Sequence, residues 1–255
     1  MKVIGIIPAR MASTRFPGKP LCKMCGMTMV EHVYRRSAMC KILDELYVAT
    51  CDREIKDEVE RFGGLAVMTK DTHKTCSDRV AEACINIKSD ADVVVNIQGD
   101  EPLIYPQMIE DGVKPFFKDK SLVCTNVISK IDNDRDFNSP NFIKVVKDLS
   151  NYALYFSREP IPSAKKHPGS FDRYRQVCIL PFRRDFLLKF VELKPSPTEC
   201  VESVDMVRVL EYGYKIKLVE TEIKTMAVDN EDDRKRVEKA LLNDGLFKKY
   251  KPGVK

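Results

Sequence analysis

The sequence IIPARMASTRFPGKPL, residues 6–21, decides the fold of this chain. An apolar run from Val3 to Ile7 predicts a buried strand, which Pro8 ends. The loop that follows carries the cations Arg10, Arg15 and Lys19, with small residues between them. Open α/β sheets place their ligands in such loops at the carboxyl ends of strands, and small residues let backbone N–H groups approach an anion. We therefore predict an anion-binding loop. The alternative is a solvated surface loop.

Length, composition and charge exclude several classes of protein. The chain has 255 residues, 44% hydrophobic and 32% charged, which is typical of a soluble globular protein with one large α/β domain or two small ones. Its net charge of +5 is mild, and the cations are mixed with acids, which argues against nucleic-acid binding. No segment has the length of a transmembrane helix or signal peptide. We expect a cytoplasmic protein without membrane insertion.

The cysteines indicate neither a disulfide framework nor a zinc site. Nine cysteines, an odd number, fit reduced thiols. The pair Cys22 and Cys25 lacks the two further ligands that zinc needs, because the three histidines are scattered along the chain.

Strands and helices alternate through residue 118, which predicts βαβ units and a parallel, doubly wound sheet. The expected strands are residues 46–50, 65–68 and 93–97 after the first one. The expected helices are residues 29–39, 53–62 with Asp52 as its cap, and a third ending at residue 87 with Ser77 or Asp78 as its cap.

The pattern then changes to a mixture of strands and irregular segments. We expect strands at residues 122–128, 143–147, 176–182 and 215–219, a β-rich segment at 225–228, and helices at 185–193, 200–212 and 231–242. Residues 157–172 contain three prolines and a glycine, and such a long irregular segment suggests a lid. Residues 248–252 are expected to fray.

Two acidic positions follow expected strands. Asp100 and Glu101 lie in the run Gln98 to Pro102, which directly follows the apolar strand 93–97, and Asp229 comes after the β-rich segment. Carboxylates beside a phosphate site repel it unless a divalent cation lies between them, and Mg²⁺ prefers one or two carboxylates with phosphate and water. We predict Mg²⁺ ligands at Asp100 and Asp229. The alternative for both is a helix N-cap.

Two arginines are weaker candidates. Arg79, beside Ser77, can reach a phosphate or pair with a carboxylate. Arg158, before the proline-rich segment, can clamp a substrate carboxylate or form a surface salt bridge. The chain has no Ser–His–acid, P-loop or dinucleotide-binding signature. Cations at one strand end with acids at two others suit phosphoryl or nucleotidyl transfer with Mg²⁺.

Two motifs closely resemble those of the 3-deoxy-manno-octulosonate (Kdo) cytidylyltransferases, residues 7–21 and the sequence NIQGDEPLI at residues 96–104. Further matches at residues 152–162, 195–199, 208–216 and 228–229 extend the resemblance over essentially the whole chain. It implies a Rossmann-like, mostly parallel sheet flanked by helices, of the nucleotide-diphospho-sugar transferase type, with a smaller mixed α+β part. Within one nucleotidyltransferase domain, residues 1–118 would bind nucleotide, approximately 119–220 would bind sugar and dimerise, and 221–255 would return to the main sheet.

The resemblance also implies a reaction and its residues. CTP and an acidic keto-deoxy sugar would give CMP-sugar and pyrophosphate, for lipopolysaccharide or another surface polysaccharide, in a homodimer. Arg10, Lys19 and Asp100 would be catalytic, and Asp100 and Asp229 would hold Mg²⁺. The implied nucleotide-binding residues, with Gln98 helping to read the base, are Pro8, Ala9, Arg10, Ser13, Arg15, Lys19, Ser77, Arg79, Gln98 and Asp100.

Departures from the family cluster on the sugar side. Where the family carries His-x-Gly-x-Tyr, this chain has Gln176 to Leu180, and where it carries Glu-Gln-Leu-Arg, this chain has Asp205 to Arg208. The family's Ser-Gly-Thr-Glu-Arg is residues 75–79 here. The expected sugar-binding residues are Arg158, Gln176, Leu180, Asp205 and Met206. Lost polar groups favour a modified Kdo or a related acid as acceptor.

Two alternatives stay open. The enzyme would act on a different sugar acid, a sugar phosphate or another nucleotide, or the chain would be a catalytically impaired nucleotide-binding homologue. Asp100 and Asp229 argue against the second alternative, because a mere scaffold does not need two carboxylates beside a triphosphate.

Overall fold

The structure is a computed structural model that describes residues 1–13, 16–166 and 169–253. The chain forms two compact units, Met1–Glu110 with Thr225–Lys255, and Asp111–Lys224. These differ from the expected portions 1–118, 119–220 and 221–255, since the chain leaves the first unit earlier. The functions given to those portions stay predictions.

The first unit contains a parallel sheet and most of the expected elements. Its strands and helices before residue 114 are β1 Val3–Ala9, β2 Lys23–Met24, β3 Met27–Thr28, α1 Met29–Ala38, β4 Glu45–Thr50, α2 Arg53–Arg61, β5 Leu65–Met68, α3 Cys76–Asn86, β6 Val93–Ile97 and α4 Pro106–Val113, the last of which ends in the second unit. A 3₁₀ turn covers Lys19–Leu21.

Strand β1 lies inside this sheet, in the order β5-β4-β1-β6. It runs parallel to β4, with Ile6 opposite Tyr47, and parallel to β6, with Ile4 opposite Val94. All residues of β1 and β6 are buried, as continuous apolar runs predict for a sheet covered on both faces. The predicted Rossmann-like, mostly parallel architecture is confirmed.

The carboxyl ends of β1 and β6 approach each other closely. A Cβ added to Gly99 would lie 2.8 Å from the carbonyl oxygen of Pro8, a distance that real Cβ atoms do not adopt. Glycine at this position therefore lets the segment after β6 pass directly beside the start of the basic loop.

The second unit is a smaller mixed α+β unit, as expected. Its elements are α5 Pro115–Lys118, β7 Cys124–Lys130, α6 Asp134–Asn138, β8 Lys144–Lys147, β9 Ala153–Ser157, β10 Tyr174–Gln176, β11 Ile179–Arg183, α7 Arg184–Glu192, α8 Pro197–Glu202, α9 Met206–Glu211 and β12 Ile216–Thr221. Strands β11-β7-β10-β8-β9 follow this order, and β12 pairs with β7 in parallel.

Two expected elements of the second unit are each divided. The single strand predicted at 176–182 is β10 and β11, and the single helix predicted at 200–212 is α8 and α9. The helix breaks because Ser203 adopts the left-handed conformation, with φ 54°. A capping box between Ser196 and Glu199 starts α8 earlier than expected.

Helix caps in the first unit also differ from the prediction. The N-cap of α3 is Thr75, whose hydroxyl accepts from the Asp78 N–H at 3.1 Å, while the Asp78 carboxylate accepts from the Thr75 N–H at 3.2 Å. Asp52 does occupy the N-cap position of α2, but its side chain makes no capping bond. That carboxylate is used elsewhere.

The last part of the chain returns to the first unit as a helix. The expected β-rich segment at 225–228 is not a strand, and no strand follows Thr221 within the described residues. Helix α10, Glu231–Asn243, and a 3₁₀ turn at Phe247–Lys249 complete this unit. Residues 225–253 thus belong to the first unit as helical and irregular segments, and the expected return of residues 221–255 to the main sheet stays a prediction.

The tail expected to fray is docked. Phe247 and Tyr250 are 7% and 8% exposed and pack with Val237 and Leu241 of α10. The Tyr250 hydroxyl lies 3.0 Å from Nδ1 of the buried His32, whose Nε2 lies 2.8 Å from the Met24 carbonyl oxygen. These contacts fix the tail against α1 and the β2–β3 hairpin.

Arg36 of α1 adds a second anchor. Its buried guanidinium donates to the Ile104 carbonyl at 2.6 Å and to Asp244 Oδ1 at 3.0 Å. The segment after β6 and the segment after α10 therefore share one fixed cation.

No helix among the described residues is both long enough and apolar enough to cross a bilayer.

Candidate active site

Lys19 lies between the two predicted metal ligands. Its ammonium nitrogen is 2.9 Å from Asp100 Oδ2 and 3.3 Å from Asp229 Oδ1. Gly18, in the left-handed conformation with φ 68°, begins the 3₁₀ turn that carries Lys19. Three residues far apart in the sequence thus meet in the first unit, near the carboxyl end of β6. Their predicted catalytic and metal-binding roles stay predictions.

The backbone around both carboxylates is fixed. The Val228 N–H donates to the Asp100 carbonyl oxygen at 2.9 Å, and the Thr225 hydroxyl donates to Glu101 Oε2 at 2.7 Å in a buried position. These bonds hold the segment after β6 to the segment before α10. Sequence reasoning missed Glu101 and Thr225 as positioning residues, because neither pattern nor spacing shows that the two segments are neighbours.

The alternative that the two aspartates are helix caps is wrong. The helix after Asp100 begins only at Pro106, and the N-cap of α10 is Asn230, whose side chain accepts from the Asp233 N–H at 2.9 Å. Both aspartate side chains are directed to Lys19 instead.

Electrostatics keep Lys19 charged. Burial lowers the pKa of its ammonium group, but Asp100 and then Asp229 outweigh this effect, so that the pKa is raised above its ordinary value. The Lys19 side chain is 14% exposed, compared with 31% for Asp100 and 23% for Asp229. The carboxylates are therefore accessible to a ligand from solvent.

The basic loop is held by a residue that sequence reasoning assigned differently. The Asp52 carboxylate, expected to cap α2, accepts from the Met11 N–H at 2.7 Å. Met11 in turn accepts from the N–H of Ser13 at 2.8 Å and of Gly18 at 3.3 Å. The available signal in the sequence was the position of Asp52 just after β4, the strand that pairs with β1.

The predicted phosphate-binding residues of this loop differ in placement. Arg10 is exposed at the end of β1, and Ser13 is half-buried in the loop. Pro8 and Ala9 are buried in β1, so that only their backbone can contact a ligand. Arg15 lies outside the described residues.

Ser77 and Arg79 are packed inside the first unit. Ser77 is fully buried, and Arg79 is 3% exposed, with Nη1 donating to Thr69 Oγ1 at 2.5 Å and to the Lys70 carbonyl at 3.2 Å. Arg79 thus fixes the end of β5. Gln98 is half-buried, and its Oε1 accepts from the Cys76 thiol at 3.6 Å. Among these three, Gln98 is the best placed to contact a nucleotide.

In the second unit, Arg158 is committed to the backbone. Its Nε donates to the Glu202 carbonyl at 2.7 Å, Nη1 to that of Pro140 at 2.9 Å and Nη2 to that of Ser203 at 3.1 Å. The Glu202 carboxylate accepts from the Arg158 N–H at 2.8 Å. Burial raises the pKa of Glu202, but this N–H and neighbouring hydroxyls outweigh it and lower that pKa. The geometry thus gives Arg158 a structural role. Sugar binding by it stays a prediction.

The altered sugar-side positions are mostly interior. Leu180 and Met206 are 2% and 0% exposed, and Gln176 is 7% exposed, with Nε2 donating to Asn126 Oδ1 at 2.7 Å. Asp205, at the start of α9, is half-buried. Three of these four positions therefore pack inside the second unit. Their contact with a sugar stays a prediction.

An α/β unit with a basic loop after β1 and paired acids facing Lys19 defines a nucleotide-binding transferase. The family model for cytidylyltransferases matches residues 4–218. A curated relative from Geotalea uraniireducens, a 3-deoxy-manno-octulosonate cytidylyltransferase, is 44% identical over 93% of this chain and 98% of its own length. The relative of that name from Geobacter metallireducens is 43% identical over 94% of this chain and 98% of its own length.

A solved structure agrees with these relatives. It is that of CMP:2-keto-3-deoxy-manno-octonic acid synthetase complexed with CTP, which is 33% identical, with a TM-score of 0.89, over 95% of this chain and 99% of that one. The chain belongs to the 3-deoxy-manno-octulosonate cytidylyltransferase family, as the two sequence motifs predicted.

Proposed function

We propose that this chain couples CTP to 3-deoxy-manno-octulosonate and releases pyrophosphate, with Mg²⁺ as cofactor. The observation that carries the proposal is the convergence of Lys19, Asp100 and Asp229, with the carboxylates 2.9 and 3.3 Å from one cationic nitrogen. The names of the relatives and the CTP complex of the solved structure support the choice of substrates.

The two carboxylates fit Mg²⁺. Hard oxygen ligands on a fixed backbone already converge on one cation, and Mg²⁺ takes one or two carboxylates with substrate phosphate and water. Asp100 and Asp229 would hold it, and it would neutralise phosphate charge.

The chain's own residues position and neutralise the reactants. Arg10 and Lys19 bind the phosphates, and the bond from the Met11 N–H to Asp52 fixes the loop that carries them. The acceptor's hydroxyl attacks the α-phosphorus and pyrophosphate leaves. Such a transfer depends on alignment and charge neutralisation rather than on a covalent nucleophile.

We choose Kdo over a modified acceptor because of where the altered positions lie. Gln176, Leu180 and Met206 are buried inside the second unit, so that the replacements there change packing first. Pyrophosphate release is measured with CTP and a panel of acceptors that contains Kdo, modified Kdo acids and sugar phosphates. We expect Kdo to have the highest kcat/KM. A clear preference for a modified acid or a sugar phosphate would show that this compound, and not Kdo, is the acceptor.

A test of the site uses Asp100→Asn. Removing one carboxylate charge should reduce pyrophosphate release by about 10²–10³-fold, the usual scale for a lost electrostatic contact at a reacting centre. The control is Asp57→Asn, an exposed position on α2. Unchanged turnover in Asp100→Asn would exclude the role assigned to Asp100. A wild-type protein that binds CTP but shows no turnover would be an impaired homologue.

We also propose a homodimer, a cytoplasmic location and a product used for lipopolysaccharide or another surface polysaccharide. Leu149, Leu154 and Val201 of the second unit are apolar and 106%, 61% and 84% exposed, which suits a partner surface. The nine cysteines, an odd number, suit a reducing compartment. Light scattering of wild type and Leu154→Lys tests the dimer, and cell fractionation tests the location.

A further inference from the structure

Lys19 occupies the position between Asp100 and Asp229 that the proposed function gives to a metal. Both acceptor oxygens lie within hydrogen-bond distance of the same nitrogen, at 2.9 and 3.3 Å. The proposed function also assigns this side chain to the phosphates of CTP. One lysine therefore has two possible sets of partners.

The backbone segments that carry the two carboxylates are held together independently of Lys19. The Val228 N–H donates to the Asp100 backbone carbonyl oxygen at 2.9 Å, next to the buried bond from Thr225 to Glu101 at 2.7 Å. Two carboxylates held this close repel each other unless a cation lies between them. Departure of the ammonium group thus leaves two neighbouring negative charges, which favour the binding of another cation.

We propose that Lys19 is the counter-ion of Asp100 and Asp229 in the nucleotide-free protein, and that it moves to the nucleotide's phosphates as a divalent cation replaces it. This inference rests on the proposed function. Lys19 then couples two binding events. The divalent cation competes with Lys19 for the two carboxylates until the phosphates bind the ammonium group. Reciprocity follows, because each ligand must raise the affinity for the other by the same factor.

The exposed fractions allow this exchange without unfolding. Asp100 is the most exposed of the three side chains at 31%, and Lys19 the least at 14%. A divalent cation can therefore approach the carboxylates from solvent while the ammonium group is still in place. A coupling factor of about 5–150 is the usual range for such linked sites.

The test is Mn²⁺ binding, followed by electron paramagnetic resonance of the free ion, with and without CTP and without any sugar. Wild type should bind Mn²⁺ weakly alone and more tightly with CTP. Lys19→Met should bind Mn²⁺ about fivefold or more tightly than wild type in the absence of nucleotide, because the competing cation is gone. The gain on adding CTP should be smaller in the variant than in wild type.

Two further variants make the result specific. Lys130→Met is the control, because Lys130 Nζ is exposed and lies 2.8 Å from the one carboxylate of Asp172, whereas Lys19 lies between two carboxylates. It should bind Mn²⁺ as wild type does. Adding Asp100→Asn to Lys19→Met should remove the gained affinity. Lys19→Gln gives the same comparison should the methionine variant fail to fold.

The outcomes separate this inference from the proposed function. The inference would be overturned if Lys19→Met, or Lys19→Gln in its place, bound Mn²⁺ no more tightly than wild type in the absence of nucleotide. A wild-type protein that releases no pyrophosphate from CTP with Kdo or any acceptor of the panel would overturn the proposed function alone, since the Mn²⁺ titration needs no turnover.

Discussion

At the scale of single residues, carboxylates near the carboxyl ends of β1, β4 and β6 do different work. Asp100 and Asp229 face a cation, whereas Asp52 accepts from a backbone N–H and Glu101 accepts from a hydroxyl. The first kind has a charge partner that a ligand can replace. The second kind fixes the loops on which the first depends.

Asp52→Ala should weaken CTP binding without affecting the fold. It removes the bond from the Met11 N–H at 2.7 Å, and a hydrogen bond to a charged group is worth roughly 1.5–3 kcal/mol. We expect KM for CTP to rise about tenfold, which corresponds to roughly 1.4 kcal/mol. Steady-state kinetics measure it. Asp57→Ala on the same helix should match wild type, and equal effects of the two variants would refute the role of Asp52.

Arg158→Met should mainly destabilise the protein. It leaves three carbonyl oxygens without the guanidinium that now donates to them, and we expect a loss of roughly 3 kcal/mol in the free energy of unfolding. Denaturant unfolding measures it, with the exposed Arg53→Met as control, expected within about 0.5 kcal/mol of wild type. A normally stable variant with a raised KM for the sugar would show that Arg158 clamps the substrate instead.

The sequence predicted which charged residues of the first unit would meet, but not which ones serve structure. Lys19 and Asp100 follow strands whose apolar runs are unmistakable, and parallel strands bring such positions to one edge. Arg79 and Arg158 look equally chemical in the sequence. The Arg79 guanidinium binds the end of β5, and that of Arg158 binds three backbone carbonyls of other segments. No local pattern encodes such partners.

At the scale of elements, the apolar strands were the most predictable part. The bounds of β5 and β6 agree with the predicted ones, because both are short apolar runs between clear turn signals. Helices α8 and α9 were predicted as one helix, since apolar spacing continues across Ser203. The left-handed backbone that divides them belongs to Ser203, and no glycine or proline at that point of the sequence predicts a helix end.

Ser203→Gly should stabilise the second unit. A left-handed conformation costs a residue with a Cβ roughly 1–2 kcal/mol, and glycine's greater freedom in the unfolded chain cancels part of the gain. We expect a net gain of about 0.5–1 kcal/mol in the free energy of unfolding. Ser203→Ala keeps the Cβ and should show no gain. A glycine variant less stable than the alanine variant would contradict this account.

At the scale of the whole molecule, stability should depend on pH through His32. Burial lowers the pKa of His32 below its ordinary value of 6.5, and nearby Arg36 lowers it further. As pH falls through that ordinary value, the unfolded chain takes up the proton first, so the folded state loses stability. The effect should be present below about pH 6.5 and absent above it.

His32→Gln tests this directly. The variant should be less stable than wild type at about pH 7.5, yet lose less stability between about pH 7.5 and pH 5.5, because glutamine does not titrate. Thermal unfolding over that range measures it. A variant that loses stability as steeply as wild type would locate the pH sensitivity elsewhere.

The first unit is built from both ends of the described chain, and this fixes the order in which it can be completed during synthesis. Strand β1 and the basic loop emerge early, but Asp229, Thr225 and the tail that packs on His32 are made only after the whole second unit. Domains fold as their residues emerge, from the N-terminus onward. A ribosome-bound chain that stops before residue 225 therefore carries Lys19 and Asp100 without their third partner, and nascent chains should acquire pyrophosphate-releasing activity only once residues 225–250 have emerged.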